Sequence, residues 1–135
     1  MMRDSRGNVS LEFVAIGVFM LIPICYIAVS ALTVAHTFMT LTGAARTGVR
    51  TFVIQNSDAQ AKSRAAQVIK SQLKLGQIDS RQVKIEFLCS QDPCLTPRSF
   101  ITATLKKKQS VGIPLLKPIS ISLAASQTIE VDSIR

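Results

Sequence analysis

The chain is poor in the residues that carry out most enzyme chemistry. It has one histidine, His36, one tyrosine and no tryptophan among 135 residues. A single histidine beside an apolar run cannot complete a catalytic triad or a metal-ligand cluster, and the sequence has no glycine-rich phosphate loop. We therefore expect a protein that is not an enzyme and that requires no cofactor or metal ion.

Acidic and aromatic residues are also scarce. There are 8 Asp and Glu against 16 Lys and Arg, which gives a formal net charge of +8. This excess would favour anionic partners such as phospholipid headgroups, cell-wall polymers or nucleic acid, and it also fits a basic surface that only aids solubility. The polar part of the chain has two aromatic side chains, Phe87 and Phe100. The polar part therefore has few aromatic side chains that could stack on nucleic-acid bases.

Charge is missing altogether from residues 13–34. At 1.5 Å per residue this run can cross a hydrocarbon core of about 30 Å, which predicts one transmembrane segment at about residues 13–35. A secretory signal peptide is the rival interpretation, but its apolar region is shorter, about 7 to 15 residues. Arginines flank the run on both sides, so the positive-inside rule does not orient it.

One carboxylate, Glu12, stands at the head of the apolar run. Such a residue is either interfacial, favoured by the positive end of the helix dipole, or functional and in need of a partner. Gly7 lies five residues before it, Phe13 follows it, and a short basic leader precedes the glycine. The order of leader, glycine, glutamate and apolar run therefore favours a functional glutamate more than the glutamate alone does.

This order resembles the cleavage signature of type IV prepilins. The resemblance implies that a membrane-embedded prepilin peptidase cuts after Gly7, that Asn8 becomes the new N-terminus and that Glu12 is the fifth mature residue. In that family the glutamate is thought to neutralise the terminal amine of a neighbouring subunit, here the amine of Asn8, which would offset the burial of both charges. The leader, residues 1–7, would then face the cytoplasm and the C-terminal domain the opposite side.

Helical periodicity predicts two helices. The first runs from residue 8 to about 56, with an expected kink at Pro23. The second begins at Ser57, which has capping-box spacing to Gln60, and ends before Gly76. Its apolar face comprises Ala61, Ala65, Val68, Ile69 and Leu73.

Small residues follow the apolar run in the first helix. They are Gly43, Ala44, Ala45, Thr47 and Gly48. They would allow close approach either of helices from neighbouring subunits or of the chain's own domain, and the sequence leaves both open.

Alternating apolar and polar residues predict a small antiparallel sheet of three or four strands, covered by the second helix. The strands are expected at residues 83–89, 101–105 and 119–131. Pro114 and Pro118 are expected to bracket a connection, since proline is excluded from central strands. The fold class is therefore α+β and pilin-like, with residues 57–135 forming an extracytoplasmic domain.

Three cysteines occupy different environments. Cys89 and Cys94 lie between the first two strands, and Cys25 lies within the apolar run, where it is expected to pack as a small apolar side chain. A disulfide between the first pair would indicate an oxidising, extracytoplasmic compartment. So short a loop would contribute about 2 kcal/mol.

Nearly the whole chain resembles the TadE-like minor pilins of tight-adherence (Flp) pilus systems. The resemblance is carried by RGNVSLEFVAI, AARTGVRT, the cysteine-containing strand and LAASQTIEVDSIR. It implies a single-pass pseudopilin of the bacterial cytoplasmic membrane whose partners are a prepilin peptidase, other pilins and the assembly platform. The implied role is in pilus assembly, surface adhesion and biofilm formation. A type II secretion pseudopilin matches less well, because Phe13 follows the glutamate instead of opening the mature chain.

Two other hypotheses remain. Lys106, Lys107 and Lys108 are expected to end the second strand, and with other basic residues they could bind DNA or anionic surface polymers. Those other residues are Arg81, Lys84, Arg98 and Lys117. The chain could also be a simple membrane-anchored protein in which Glu12 is merely interfacial.

Overall fold

The computed structural model describes residues 8–113 and 116–132. Its elements are α1 (Asn8–Val53), α2 (Asp58–Leu75), a 3₁₀ turn (Ser80–Gln82), β1 (Val83–Cys89), β2 (Phe100–Ile113) and β3 (Leu116–Glu130). The predicted α+β class and the order of two helices followed by three antiparallel strands are confirmed. The proposed cleavage residue Gly7 and the turn residue Pro114 lie outside the described residues.

Helix α1 has 46 residues and would be about 70 Å long at 1.5 Å per residue. It remains helical on both sides of Pro23. In residues 11–36 no side chain is buried, whereas the stretch from Thr37 to Phe52 contains seven buried residues that include much of the hydrophobic core. Threonine hydroxyls along the helix, such as that of Thr33, donate to the carbonyl four residues earlier. The helix therefore has an unpacked half and a packed half.

Helix α2 is amphipathic, as predicted. Its buried residues are Ala61, Ala65, Ile69 and Leu73, while Val68 is half-buried. The predicted capping box is wrong, because the side chain of Ser57 makes no capping hydrogen bond. The C-terminal end is as expected: Gly76 follows the helix, and the amides of Gly76 and Ile78 bond to the carbonyls of Gln72 and Leu73.

The sheet has the order β1-β2-β3 with antiparallel pairing throughout. The prediction that the three lysines end the second strand is wrong, since β2 continues to Ile113. Pro118 lies inside β3, which corrects its assignment to a connection. Because β3 is at the edge of the sheet, a residue without an amide hydrogen is tolerated there.

Strands β2 and β3 extend beyond the end of β1. Pairing of β1 with β2 ends at Val83 and Lys107, so residues 108–112 of β2 and 117–122 of β3 pair with each other alone. We call this two-stranded ribbon the β2–β3 arm. It leaves the three-stranded part of the sheet and projects alongside the helix.

The core lies where the packed half of α1 meets α2 and the sheet. Helix α1, and not α2 as expected, makes the close backbone contacts with β2 and β3, while α2 packs mainly on α1. The rings of Phe52 and Phe87 lie 5.4 Å apart and join α1 to β1. A Cβ on Gly48 would come within 2.5 Å of Ile69, which shows how closely α1 and α2 approach.

The small residues of α1 are used largely within the chain itself. Ala44, Ala45 and Gly48 are buried in the domain core, whereas Gly43 is exposed and would have nothing within 4 Å of an added Cβ. The sequence left open whether these small residues pack on neighbouring subunits or on the chain's own domain. The three buried residues pack on the chain's own domain.

Candidate functional site

The N-terminal half of α1 is a large apolar surface that the described part of the chain leaves mostly uncovered. Its large apolar side chains are exposed, with Phe13 78% and Leu32 70% exposed, and the β2–β3 arm approaches the helix between Tyr26 and Phe38. Full burial of each such side chain is worth about 1.5–3 kcal/mol. By length and composition this is one helix that can cross a membrane, which is consistent with single-pass anchoring. A surface of this size needs lipid or other apolar helices to cover it.

The head of this surface carries the prepilin-like residues. Helix α1 is described from Asn8 onward, and Glu12 and Phe13 are exposed on it. Among the described residues Glu12 makes no ion pair. Its partner in an apolar environment must therefore come from the chain terminus, from another molecule or from the membrane interface.

The cysteine loop is fixed to the start of α2. Cys89 and Cys94 form a disulfide, as the sequence suggested, and Cys25 is a free, exposed cysteine on α1. A carboxylate oxygen of Asp58 accepts a 2.8 Å hydrogen bond from the amide of Cys94, and the other accepts a 3.3 Å bond from the amide of Leu95. Local sequence patterns did not reveal this role of Asp58, because its partners lie 36 and 37 residues away.

The expected patch of Lys106, Lys107 and Lys108 is divided between the two faces of the sheet. Strand alternation places Lys106 and Lys108 on the outer face, and Lys107 on the same face as the buried Leu105. Lys84 lies opposite Lys106 on the outer face. Although their side chains alternate between the faces, the three lysines and Lys84 line one cleft of about 500 Å³ beside the end of β1.

One lysine of the outer face is already paired. Lys106 Nζ lies 2.8 Å from Glu86 Oε2. The hydrogen bond from Lys106, together with its charge, holds the pKa of Glu86 below its ordinary value. The other basic residues of the hypothesis are dispersed, since Arg98 precedes β2 and Lys117 lies at the far end of the arm. Arg98 and Lys117 therefore do not extend the cleft that the four lysines line.

The β2–β3 arm lies against the exposed half of α1. A Cβ on Gly112 would be 2.8 Å from the hydroxyl of Tyr26, so the end of the arm meets the helix far from the domain core. Between arm and helix is a cleft of about 640 Å³ whose lining is apolar, with Phe38 on the helix and Ile121 on the arm. The sequence did not predict this contact, because the strands were expected to end earlier.

No group of three or more His, Cys, Asp or Glu that could hold a metal ion occurs in residues 8–113 and 116–132. Comparisons with protein-family models, curated proteins and solved structures gave no match to this chain. A function must therefore be argued from the residues and the geometry of the chain.

Proposed function

We propose that the chain is a minor pilin, or pseudopilin, of a tight-adherence type IV pilus, processed by a prepilin peptidase after Gly7. It would act in pilus assembly, surface adhesion and biofilm formation. One observation carries the proposal: α1 is a single helix with an unburied apolar half and a second half built into the core of a folded domain. The prepilin-like order of Gly7, Glu12 and Phe13 at its start supports it.

This division of α1 suits a subunit that moves from membrane to filament. The exposed half can exchange lipid for the apolar helices of neighbouring subunits without disturbing the core, because its side chains take no part in the core. Burial by other helices retains the same apolar contribution as burial by lipid. The domain can therefore stay folded while its anchor changes surroundings.

Glu12 has a role in this exchange. In a bundle of helices an unpaired carboxylate would oppose assembly, whereas pairing with the amine of Asn8 on a neighbouring subunit would compensate for its burial. Cleavage after Gly7 is what would create that amine. Processing and assembly would thus be linked through one ion pair.

The proposed location is the bacterial cytoplasmic membrane, with the leader in the cytoplasm and the domain outside. The disulfide between Cys89 and Cys94 supports an oxidising compartment for the domain. Partners would be other pilins, the assembly platform and the peptidase. We propose no enzymatic activity for the chain and no cofactor.

A variant of Glu12 tests the proposal in cells that carry the pilus system. Glu12→Gln keeps the shape of the side chain but removes its charge, and we expect recovery in sheared pili to fall at least tenfold. Val18→Ala, on the same exposed helix half, is the matched control and should be incorporated like the wild type. Membrane insertion of both variants is measured by fractionation. Equal incorporation of Glu12→Gln and wild type would indicate a simple anchor and refute the role in assembly.

A further inference from the structure

The β2–β3 arm runs beside a part of α1 that the sequence assigned to the membrane. Gly112 lies at the level of Tyr26, and Ile121, farther up the arm, shares the apolar cleft with Phe38. The arm thus accompanies α1 from about residue 38 down to about residue 26. A transmembrane segment at residues 13–35 would carry the end of the arm into the lipid.

The backbone of the arm opposes such immersion. The arm is a two-stranded ribbon, so each of its strands has an edge without a partner strand in the described chain. Every unsatisfied N–H or C=O group costs several kcal/mol in hydrocarbon, and open sheet edges do not occur there. An apolar side chain such as that of Ile119 would gain only about 1.5–3 kcal/mol by burial. For the arm itself, the cost of burying its open backbone edges therefore exceeds the gain from burying its apolar side chains.

The length of α1 permits a different membrane position. If the hydrocarbon core of the bilayer extended to residue 35, residue 26 would lie about 14 Å below the membrane boundary. Residues 8–26 alone span about 29 Å, which matches a hydrocarbon core of about 30 Å. Tyr26 would then lie at the boundary, where tyrosine rings are favoured. This position accommodates the bilayer thickness and the open edges, and it moves the exposed side chains of Ile27, Val29 and Leu32 from the hydrocarbon to the headgroup layer.

We propose that the β2–β3 arm docks on the phospholipid headgroup layer and thereby sets the depth of α1, with residues 8–26 as the membrane span. The ligand is an anionic headgroup, because Lys117 is the one charged residue in the sequence from 109 to 121 and is exposed near the end of the arm. A lysine near an anionic membrane surface contributes about 1 kcal/mol. The inference requires α1 to span a membrane and does not require a pilus.

This depth has a consequence for Glu12. With residue 8 at the opposite boundary, Glu12 lies one turn, about 6 Å, inside the hydrocarbon. A carboxylate at that depth has a strong need for a cationic partner. The arm would therefore also hold Glu12 in the position where pairing with an amine is most favourable.

The depth of α1 can be measured with the full chain in phosphatidylcholine–phosphatidylglycerol vesicles. Single cysteines replace Met20, Leu32 and Met39, all exposed on α1, in a Cys25→Ala background that retains the disulfide. Each is labelled with a fluorophore and exposed to aqueous iodide or to lipids with spin labels in the acyl chain. We expect the label at 32 to be quenched by iodide like that at 39, and the label at 20 by the lipids. A label at 32 that behaves like that at 20 would overturn the proposal.

Contact of the arm with headgroups is measured separately. Ser120→Cys and Ser126→Cys place labels on the exposed outer face of β3, near the end of the arm and far from it. A headgroup-attached quencher should quench the label at 120 at least threefold more than that at 126. Lys117→Gln should reduce this difference in vesicles with phosphatidylglycerol but leave it unchanged in pure phosphatidylcholine.

Equal quenching at 120 and 126 would overturn docking. If the difference in quenching changes neither with Lys117→Gln nor with the lipid charge, recognition of anionic headgroups is overturned. These vesicles contain neither peptidase nor pilus proteins. A negative result would therefore refute the membrane contact of the arm while the pilin proposal remained standing.

Discussion

The backbone amide of Cys94 donates a 2.8 Å hydrogen bond to the carboxylate of Asp58, at the first position of α2. The same carboxylate accepts a bond from Leu95, and the hydroxyl of the buried Ser99 donates to the carbonyl of Cys94. One acidic side chain thus connects the second helix to the disulfide loop. The loop position depends on this contact as well as on the disulfide.

Loss of the Asp58 carboxylate should destabilise the domain. Asp58→Ala leaves two partly buried amides without their acceptors, and we expect the free energy of unfolding to fall by about 1–3 kcal/mol. Asp92→Ala, an exposed position in the same loop, is the matched control and should change it by less than about 0.5 kcal/mol. Denaturant unfolding of the full chain in detergent measures both. Equal effects would contradict a structural role for Asp58.

The disulfide should make a modest contribution. The double variant Cys89→Ser, Cys94→Ser opens a loop with a sequence separation of five, and we expect a loss of about 2 kcal/mol in the free energy of unfolding. Cys25→Ser changes a free cysteine outside the domain core and should leave domain unfolding unaffected. Unfolding with and without reductant provides an independent measurement. A wild-type domain insensitive to reductant would contradict the prediction.

Gly48 is closely packed and Gly43 is not, so replacement by alanine should destabilise the domain at Gly48 but not at Gly43. Gly48→Ala places a Cβ 2.5 Å from Ile69, and overpacking should cost about 1–3 kcal/mol. Gly43→Ala meets nothing within 4 Å, so alanine should be neutral or stabilise the helix by up to about 1 kcal/mol. Thermal unfolding of the two variants gives the comparison.

A second substitution tests whether Ile69 causes the cost. Ile69→Val removes the Cδ1 methyl, one of the two Ile69 atoms 2.5 Å from the added Cβ, so the double variant with Gly48→Ala should be more stable than the sum of the single effects predicts. Strict additivity of the two free energies would indicate that the two residues do not interact.

The Glu86–Lys106 pair should give a defined pH response. The hydrogen bond from Lys106 lowers the pKa of Glu86 in the folded chain. The pair therefore adds stability above the unfolded pKa of Glu86, and this contribution is lost as the pH falls through the lower folded pKa. Lys106→Gln should raise the folded pKa of Glu86 in a carbon-13 NMR titration, whereas Lys108→Gln should leave it low. An unchanged pKa in Lys106→Gln would refute the assignment.

Local sequence patterns were sufficient for most of the secondary structure. Period-two alternation located β1, and the apolar face of α2 was identified with all four of its buried residues. These predictions succeed because one buried face leaves a regular signature in the sequence. The spacing of Cys89, at the end of β1, and Cys94 suggested a disulfide, but the sequence alone left their oxidation state open.

The errors arose where tertiary contacts decided the outcome. Lys106 to Lys108 lack an apolar face and so suggested a strand end, but pairing with β3 continues β2 through them. The capping-box spacing at Ser57 was misleading, because Asp58 bonds to a distant loop and Ser57 makes no capping bond. Contacts such as Gly112 with Tyr26 have no local signature at all.

The central claim is that a peptidase removes the leader after Gly7 and leaves Asn8 as the first residue of the mature chain. It is tested most directly by the intact mass and N-terminal sequence of the chain recovered from cells with and without the prepilin peptidase. We predict a mature chain that begins at Asn8 when the peptidase is present, and the full chain from Met1 when it is absent. A leader retained in both cases would contradict the claim and indicate a simple anchor, and a start near His36 would indicate a signal peptide.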